Sequence, residues 1–208
     1  MKVTISNQTR EFTPSDGSDW KVDDDAGSIG VRAHGHSDIF IDPGKSGEGV
    51  TTPSRHNAAL LMTSPVKGDF QFTATVNVDF ASTFDAGVLF LRINEKHWAK
   101  LCFEFSPDRK PMVVSVVNKG GTSDDANAFN VDGNEVKLRI SRKDGVYAFH
   151  GAVDGDPWTF TRAFAFEIDE ENLEVGFEAQ SPYGDGCDVT FSNYSLTDES
   201  LGDFRNGS

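Results

Sequence analysis

The stretch DFQFTATVNVDF (residues 69–80) decides the fold, because apolar and polar residues alternate strictly along it. A period of two is typical of a β-strand with one face in a core and the other in solvent. Phe70 and Phe72 fall on the apolar face, while Gln71 and Thr73 fall on the polar face. The stretch therefore predicts a two-faced strand at the edge of a hydrophobic core.

The two segments that follow continue this pattern. Residues 86–93 (AGVLFLRI) are almost entirely apolar and too short for a typical helix, which indicates a strand covered on both sides. Residues 97–105 alternate again, with one face that is wholly apolar and one that is chemically mixed. The apolar face holds Leu101, Phe103 and Phe105, and the mixed face holds Trp98, Lys100, Cys102 and Glu104.

The rest of the chain repeats short strand patterns separated by Gly, Asp, Pro and Asn, and no segment keeps a 3.6-residue apolar period. Further strands are predicted at residues 112–118, 135–141, 146–153, 158–164, 173–180 and 187–196. We therefore expect an all-β, two-sheet sandwich that forms one domain over residues 1–208. Residues 197–208 are polar, and we expect them to fray as a tail.

Charge and cysteine content narrow the functional classes. The formal net charge of −14 repels nucleic acid and anionic membranes, so neither is an expected partner. Neither a signal peptide nor a membrane span is recognisable, which predicts a cytoplasmic protein. Cys187 shares a face with core residues whereas Cys102 does not, so a disulfide between them is not expected.

Several motifs in order resemble a known family. They are SDIFIDP (37–43), DAGVLFLRINEKHWAKLCFEF (85–105), VVSVVNKGGTSDD (113–125), WTFTRAF (158–164) and VGFEAQSPYGDGCDVTFSNYSL (175–196). Together they resemble the regulation-of-enolase-type family of unknown function, within the concanavalin-A-like lectin and glucanase superfamily, over roughly residues 20–196.

The resemblance implies a jelly-roll-type sandwich with a curved sheet whose outer face can hold a ligand, but it implies no settled activity. The family's characteristic residues correspond here to Asp38, Phe40, Gly87, Trp98, Lys100, Glu104, Asn118, Asp124, Arg162, Gln180, Ser181 and Pro182. Two positions depart from the family pattern: Asn118 stands where Thr is frequent, and Asp125 stands where an aromatic residue is usual.

A carbohydrate site on the mixed face is the leading functional hypothesis. An aromatic face stacks on a sugar ring while charged groups bind its hydroxyls, so Trp98 beside Lys100 and Glu104 suits a carbohydrate ligand. The expected role is that of a carbohydrate-binding protein in sugar metabolism. The predicted ligand-binding residues are Trp98, Lys100, Glu104, Asn118, Asp124, Gln180 and Tyr183. The alternative is that Trp98 merely covers the sheet while the two charges pair in solvent for at most ~1 kcal/mol.

Two other functional classes stay open. A glycoside hydrolase would use a carboxyl pair chosen from Glu104, Glu174 and Glu178. The segment EVGFE resembles the E-x-D-x-E strand of the glucanases, with Gly176 in place of the central Asp, which favours binding over catalysis. A regulatory partner of a metabolic enzyme is suggested only by the name of the yeast family member.

No metal or other cofactor is predicted, although two patterns contain residue types that bind metals. His34, His36 and Asp38 alternate, so a strand would place them on one side, but further ligands have no evident source. The Asp-rich stretches 23–25 and 124–132 offer oxygen ligands for calcium, without the spacing of a twelve-residue calcium loop. Solvated turns are the preferred interpretation of both stretches.

Overall fold

The computed structural model describes residues 1–6, 8–44, 53–63, 65–153 and 155–208, which form two large antiparallel sheets and one small one. The eight-stranded sheet has the spatial order β1 (Lys2–Ile5), β2 (Gln8–Pro14), β7 (Ala59–Thr63), β16 (Glu174–Gln180), β9 (Ala86–Asn94), β10 (His97–Phe105), β11 (Pro111–Lys119) and β12 (Ser123–Asn130). The seven-stranded sheet has the order β15 (Thr159–Ala165), β14 (Val146–Ala152), β13 (Glu135–Lys143), β8 (Phe70–Asp79), β17 (Asp188–Thr197), β4 (Ser28–Arg32) and β3 (Lys21–Asp23). The small sheet pairs β5 (Ile39–Phe40) with β6 (Arg55–His56).

The main core lies between the two large sheets and is rich in phenylalanine. The ring centroid of Phe177 on β16 lies 5.2 Å from that of Phe72 on β8 and 4.7 Å from that of Phe191 on β17. Offset and tilted ring pairs at this separation add to the stability that burial of apolar area provides. The predicted core faces of residues 69–80 and 97–105 are confirmed, because Phe70, Phe72, Leu101 and Phe103 are buried in this core. Phe80 packs against the core but is only partly buried.

A second apolar layer covers the outer face of the eight-stranded sheet. It contains Val88 and Phe90 of β9 and Trp98 of β10, together with Ile39 and Phe40 of β5. The prediction that residues 86–93 are covered on both sides is therefore confirmed. The mixed face of β10 is also covered: Trp98 is only 1% exposed and forms no open platform.

The C-terminal residues pack against the seven-stranded sheet, so the expectation that residues 197–208 fray is wrong. Lys143 Nζ donates to the carbonyl of Leu201 at 2.8 Å, and Arg139 Nη2 donates to the carbonyl of Gly207 at 2.7 Å. His150 Nε2 donates to the carbonyl of Phe204 at 2.7 Å. Backbone carbonyls hold this segment in place, and they are available whatever the polarity of its side chains.

The two cysteines are buried and unpaired. Cys187 lies in the core between the large sheets, and Cys102 lies in the outer apolar layer. The expected absence of a disulfide between them agrees with this placement. No helix in the described part of the chain is long and apolar enough to cross a membrane.

Candidate functional site

The centre of the candidate site is a buried lysine. Lys100 lies on the outer face of β10, and its Nζ donates to Asp38 Oδ1 and to Gln180 Oε1, each at 2.8 Å. Glu178 Oε1 lies 3.8 Å from the same nitrogen. These four polar side chains are buried, so the contacts tie the segment before β5 to β10 and β16 in a medium of low dielectric constant.

A small pocket opens beside this cluster and encloses about 70 Å³. Its polar lining is Asp38, Lys100, Glu104, Asp125 and Gln180, and its apolar lining is Phe40, Phe84 and Val116. Gln180 Nε2 donates to the carbonyl of Phe84 at 3.2 Å, which positions one aromatic wall. Convergent polar groups among apolar walls are the usual composition of a small-molecule site.

The titratable groups in the site are unequal in number, with several carboxyls facing one ammonium. Burial raises the pKa of Glu178 to about 8, although the nearby Lys100 ammonium opposes this shift. Among the described residues, neither carboxyl oxygen of Glu178 has a hydrogen-bond partner. The pKa of Glu104 is raised well above its ordinary value, chiefly by burial and to a smaller extent by the nearby carboxyl of Asp125.

Lys100 itself stays protonated. Burial favours the neutral amine and lowers its pKa, but the carboxylates of Asp38 and Glu178 outweigh burial and hold the pKa above its ordinary value. An ammonium has three N–H donors, and two of them go to Asp38 and Gln180. One donor thus remains for Glu178 or for a ligand.

Several predicted residues meet in this pocket, and Trp98 lies next to it. Lys100, Glu104 and Gln180 line the pocket, and Lys100 and Glu104 lie on the same face of β10, as strand alternation predicts. Trp98 instead lines a neighbouring cavity of about 520 Å³ with Phe90, and its indole N–H has no partner in the part of the chain that the structure describes. Tyr183 is 46% exposed, and its ring centroid lies 5.7 Å from that of the pocket residue Phe84.

Asn118 and Asp124 lie outside the pocket. Asn118 is buried, and its Oδ1 accepts from the backbone N–H groups of Gly120 and Gly121, each at 3.1 Å, so it shapes the turn between β11 and β12. Asp124 pairs with Arg162 of the opposite sheet at 2.8 Å. Successive residues of a strand point to opposite faces, so Asp125 and not Asp124 contributes the pocket carboxyl of β12.

The three candidate catalytic carboxyls are not equivalent. Glu174 lies on the same strand face as Glu178, about 13 Å further along β16, and pairs with Arg92 at 2.8 Å. Glu178 is 0% exposed, so a substrate has no access to it. At Gly176 an added Cβ would lie 2.1 Å from the carbonyl oxygen of Leu61, so no Asp fits where glucanases carry one.

The metal patterns of the sequence do not form a site in the described residues. Strand β4 ends at Arg32 and His36 has a φ of 56°, so the expected alternation of His34, His36 and Asp38 along one strand is wrong. Asp23 uses its Oδ1 to accept the N–H of Ala26 at 2.9 Å in a turn. Within the described ranges no group of three or more His, Cys, Asp or Glu residues is arranged to hold a metal ion.

Comparison with known proteins places this chain. The model of the family described as "Protein of unknown function (DUF1349)" matches residues 16–199. The chain belongs to this DUF1349 family. Its sequence is also 31% identical to Regulation of enolase protein 1 of Saccharomyces cerevisiae over 128 residues, which are 61% of this chain and 64% of the yeast protein. The chain thus spans less than two thirds of that curated relative.

Solved structures share the sandwich fold of this DUF1349 protein. A functionally unknown protein from Saccharomyces cerevisiae superposes with a TM-score of 0.75 at 24% identity, covering 92% of this chain and 97% of its own. A carbohydrate-binding module from Bacillus subtilis gives a TM-score of 0.57 at 13% identity, covering 89% and 94%. A xylan β-1,4-xylosidase from Bacillus halodurans gives 0.65 at 11% identity, covering 88% and 38%. At these identities the likeness shows the fold alone.

Sequence reasoning missed part of the pocket. Asp38 and Phe40 stood among the residues that the resemblance marked, and this was a usable signal, but they were not placed in the ligand site. Asp125 was noted only as a departure from the family pattern. Phe84 lies in a loop before β9, and no pattern in the sequence singles it out.

Proposed function

We propose that this DUF1349 protein is a carbohydrate-binding protein that holds the hydroxyl edge of a sugar in the pocket beside Lys100. The observation that carries the proposal is the convergence of Lys100, Glu104, Asp125 and Gln180 between the aromatic walls of Phe40 and Phe84. Hydroxyls both donate and accept hydrogen bonds, so they suit a pocket that offers both kinds of partner. The apolar walls match the C–H faces of a sugar.

The size of the pocket limits what enters it. About 70 Å³ is well below the roughly 300–1,000 Å³ of a pocket that encloses a whole ligand, so the pocket admits one edge of a sugar ring and not the complete ring. Tyr183 is exposed next to the wall formed by Phe84 and is positioned to contact the part of the ligand that remains outside. The preferred ligands are therefore monosaccharides or the ends of oligosaccharides.

The fold neighbours support this choice to a limited degree, because one is titled a carbohydrate-binding module and another a xylosidase. Hydrolysis is the weaker candidate here, since Glu178 is inaccessible and Gly176 leaves no room for a third acidic side chain. The name of the yeast relative favours a role beside a metabolic enzyme, for which a sugar ligand would serve as the signal. Both a cytoplasmic location and a place in sugar metabolism belong to this proposal.

Calorimetric titration with a panel of monosaccharides and oligosaccharides tests the proposal. Glu104→Leu keeps the side-chain size but removes a polar group of the pocket, and we expect it to weaken sugar binding at least about tenfold. Glu174→Leu is the matched control, because it changes a carboxyl on the same sheet face that pairs with Arg92 outside the pocket. A panel that gives no binding, or equal losses in the two variants, would refute the proposal.

A further inference from the structure

The carboxyls of the pocket outnumber its cations. Lys100 faces Asp38 at 2.8 Å and Glu178 at 3.8 Å, so its single charge is already shared between two carboxyls. Glu104 and Asp125 also line the pocket, and neither forms an ion pair within the described residues. A ligand that brings a positive charge would therefore complete the site.

Glu104 is the unpartnered carboxyl that a ligand in the pocket can reach. Its side chain lines the pocket and is only 8% exposed, yet its carboxyl makes no hydrogen bond or ion pair among the described residues. A carboxyl that is largely buried loses most of its hydration, and without a partner it gains no hydrogen bond in exchange. A charged N–H donor supplied by a ligand would remove that penalty.

The pocket walls and the whole protein favour the same ligand. Phe40 and Phe84 present aromatic rings beside the carboxyls, and ring faces attract ammonium groups. The net charge of −14 attracts cations at long range. We infer that the pocket selects ligands that carry an alkylammonium group, so that the sugar of the proposed function is an amino sugar.

Binding should exchange protons for the ligand's charge. The groups that face Glu104 are Asp125 of β12, Lys100 and Cys102 of its own strand, Asp38 before β5 and Glu178 of β16. Arg162, which pairs with Asp124, also faces Asp125. Burial raises the pKa of both Glu104 and Asp125, so a bound ammonium should ionise these carboxyls and release protons.

The experiment compares glucosamine, glucose and cadaverine by calorimetry just below neutral pH, where the amines are protonated, in buffers of different ionisation enthalpy. We expect glucosamine to bind at least about tenfold more tightly than glucose and to release protons, because charged hydrogen bonds are the stronger ones. Glu104→Gln and Asp125→Asn keep the polar shape and should abolish this preference. Asp124→Asn, which alters the adjacent carboxyl on the opposite face, should retain it.

The sugar ring in this inference rests on the proposed function, whereas the ammonium group does not. The three ligands therefore test the ring and the ammonium group separately. Equal affinity for glucose and glucosamine would overturn the inference and leave the proposed function standing. Binding of cadaverine with no response to either sugar would support the ammonium and overturn the proposed function. Binding of calcium chloride alone would overturn the inference in favour of an inorganic cation, and binding of nothing would overturn both.

Discussion

Replacement of Lys100 by Met would leave buried carboxyls without the cation that they share. The methionine side chain has nearly the length of the lysine stem, so the substitution removes the charge and its donors while it keeps most of the packing. It breaks the two 2.8 Å hydrogen bonds to Asp38 and Gln180 and the 3.8 Å contact with Glu178. The folded protein must then keep those carboxyls buried without a cation or protonate them, and either outcome lowers its free energy of unfolding.

The magnitude follows from the burial of the cluster. The side chains of Lys100, Asp38 and Glu178 are 2%, 5% and 0% exposed, so solvent cannot replace the lost partner. Removal of one member of a buried ion pair costs about 3–5 kcal/mol, because the other member stays charged and desolvated. We expect Lys100→Met to lower the free energy of unfolding by about that amount.

Denaturant unfolding at neutral pH, followed by circular dichroism, measures this loss. Lys119→Met serves as the matched control, because Lys119 is exposed at the end of β11 and should contribute less than about 0.5 kcal/mol. Adding Asp38→Asn to the Lys100→Met variant should restore part of the stability, since it removes one stranded charge. A loss below about 1 kcal/mol for Lys100→Met would refute the inference that the cluster is shielded from solvent and that its carboxyls depend on the Lys100 ammonium.

Three further outcomes follow from the same structure. The pKa of Glu178 is raised from 4.5 to about 8, so its stabilising contribution is complete below pH 4.5 and is lost as the pH rises through about 8. Over that range the free energy of unfolding of the wild type should fall by about a few kcal/mol relative to that of Glu178→Gln. Parallel curves of unfolding free energy against pH for the two proteins, measured with denaturant, would contradict this. Gly176→Ala should lower the free energy of unfolding by about 3 kcal/mol or more, or prevent folding. Gly30→Ala is the control and should fold normally, because its Cβ would lie 3.9 Å from the nearest neighbouring atom. Similar melting temperatures for the two variants would argue against the steric reasoning. Cys102 and Cys187 are buried, which raises the pKa of each thiol, so a thiol reagent should label them only after unfolding, and rapid labelling of the native protein would show that the layers open.

The sequence-based predictions were correct where they depended only on the alternation of residues along a single strand. The two faces of β10 follow from alternation alone, so Leu101 and Phe103 were placed correctly in the core and Lys100 and Glu104 on the opposite face. What lies on that opposite face depends on Asp38, which is 62 positions away from Lys100 in the chain. No local pattern encodes a contact of that separation, and so the mixed face was expected to be open.

Strand β12 shows a different limit. Its sequence, SDDANAFN, is rich in Asp and Asn, which are depleted in strands, and no strand was predicted there. Pairing with the strongly apolar β11 overrides this weak propensity and sets the register Val116 opposite Asp125. Without a predicted strand, the side on which Asp124 or Asp125 lies could not be read from the sequence. The packed tail has a related cause, because its contacts use backbone carbonyls that every sequence possesses.

The position of Gly176 connects the fold to the kind of site that it can hold. A Cβ there would meet the backbone of Leu61 at 2.1 Å, which shows that β7 approaches β16 too closely for an outward side chain at this point. Two residues further along, Glu178 is 0% exposed and lies 3.8 Å from Lys100, and Ile39 and Phe40 of β5 belong to the outer apolar layer. Among the described residues, the outer face of the eight-stranded sheet is open at the small pocket lined by Glu104 and Asp125 and at the larger cavity lined by Trp98 and Phe90. The small size of the pocket beside Glu104 is consistent with the proposed recognition of one edge of a small ligand.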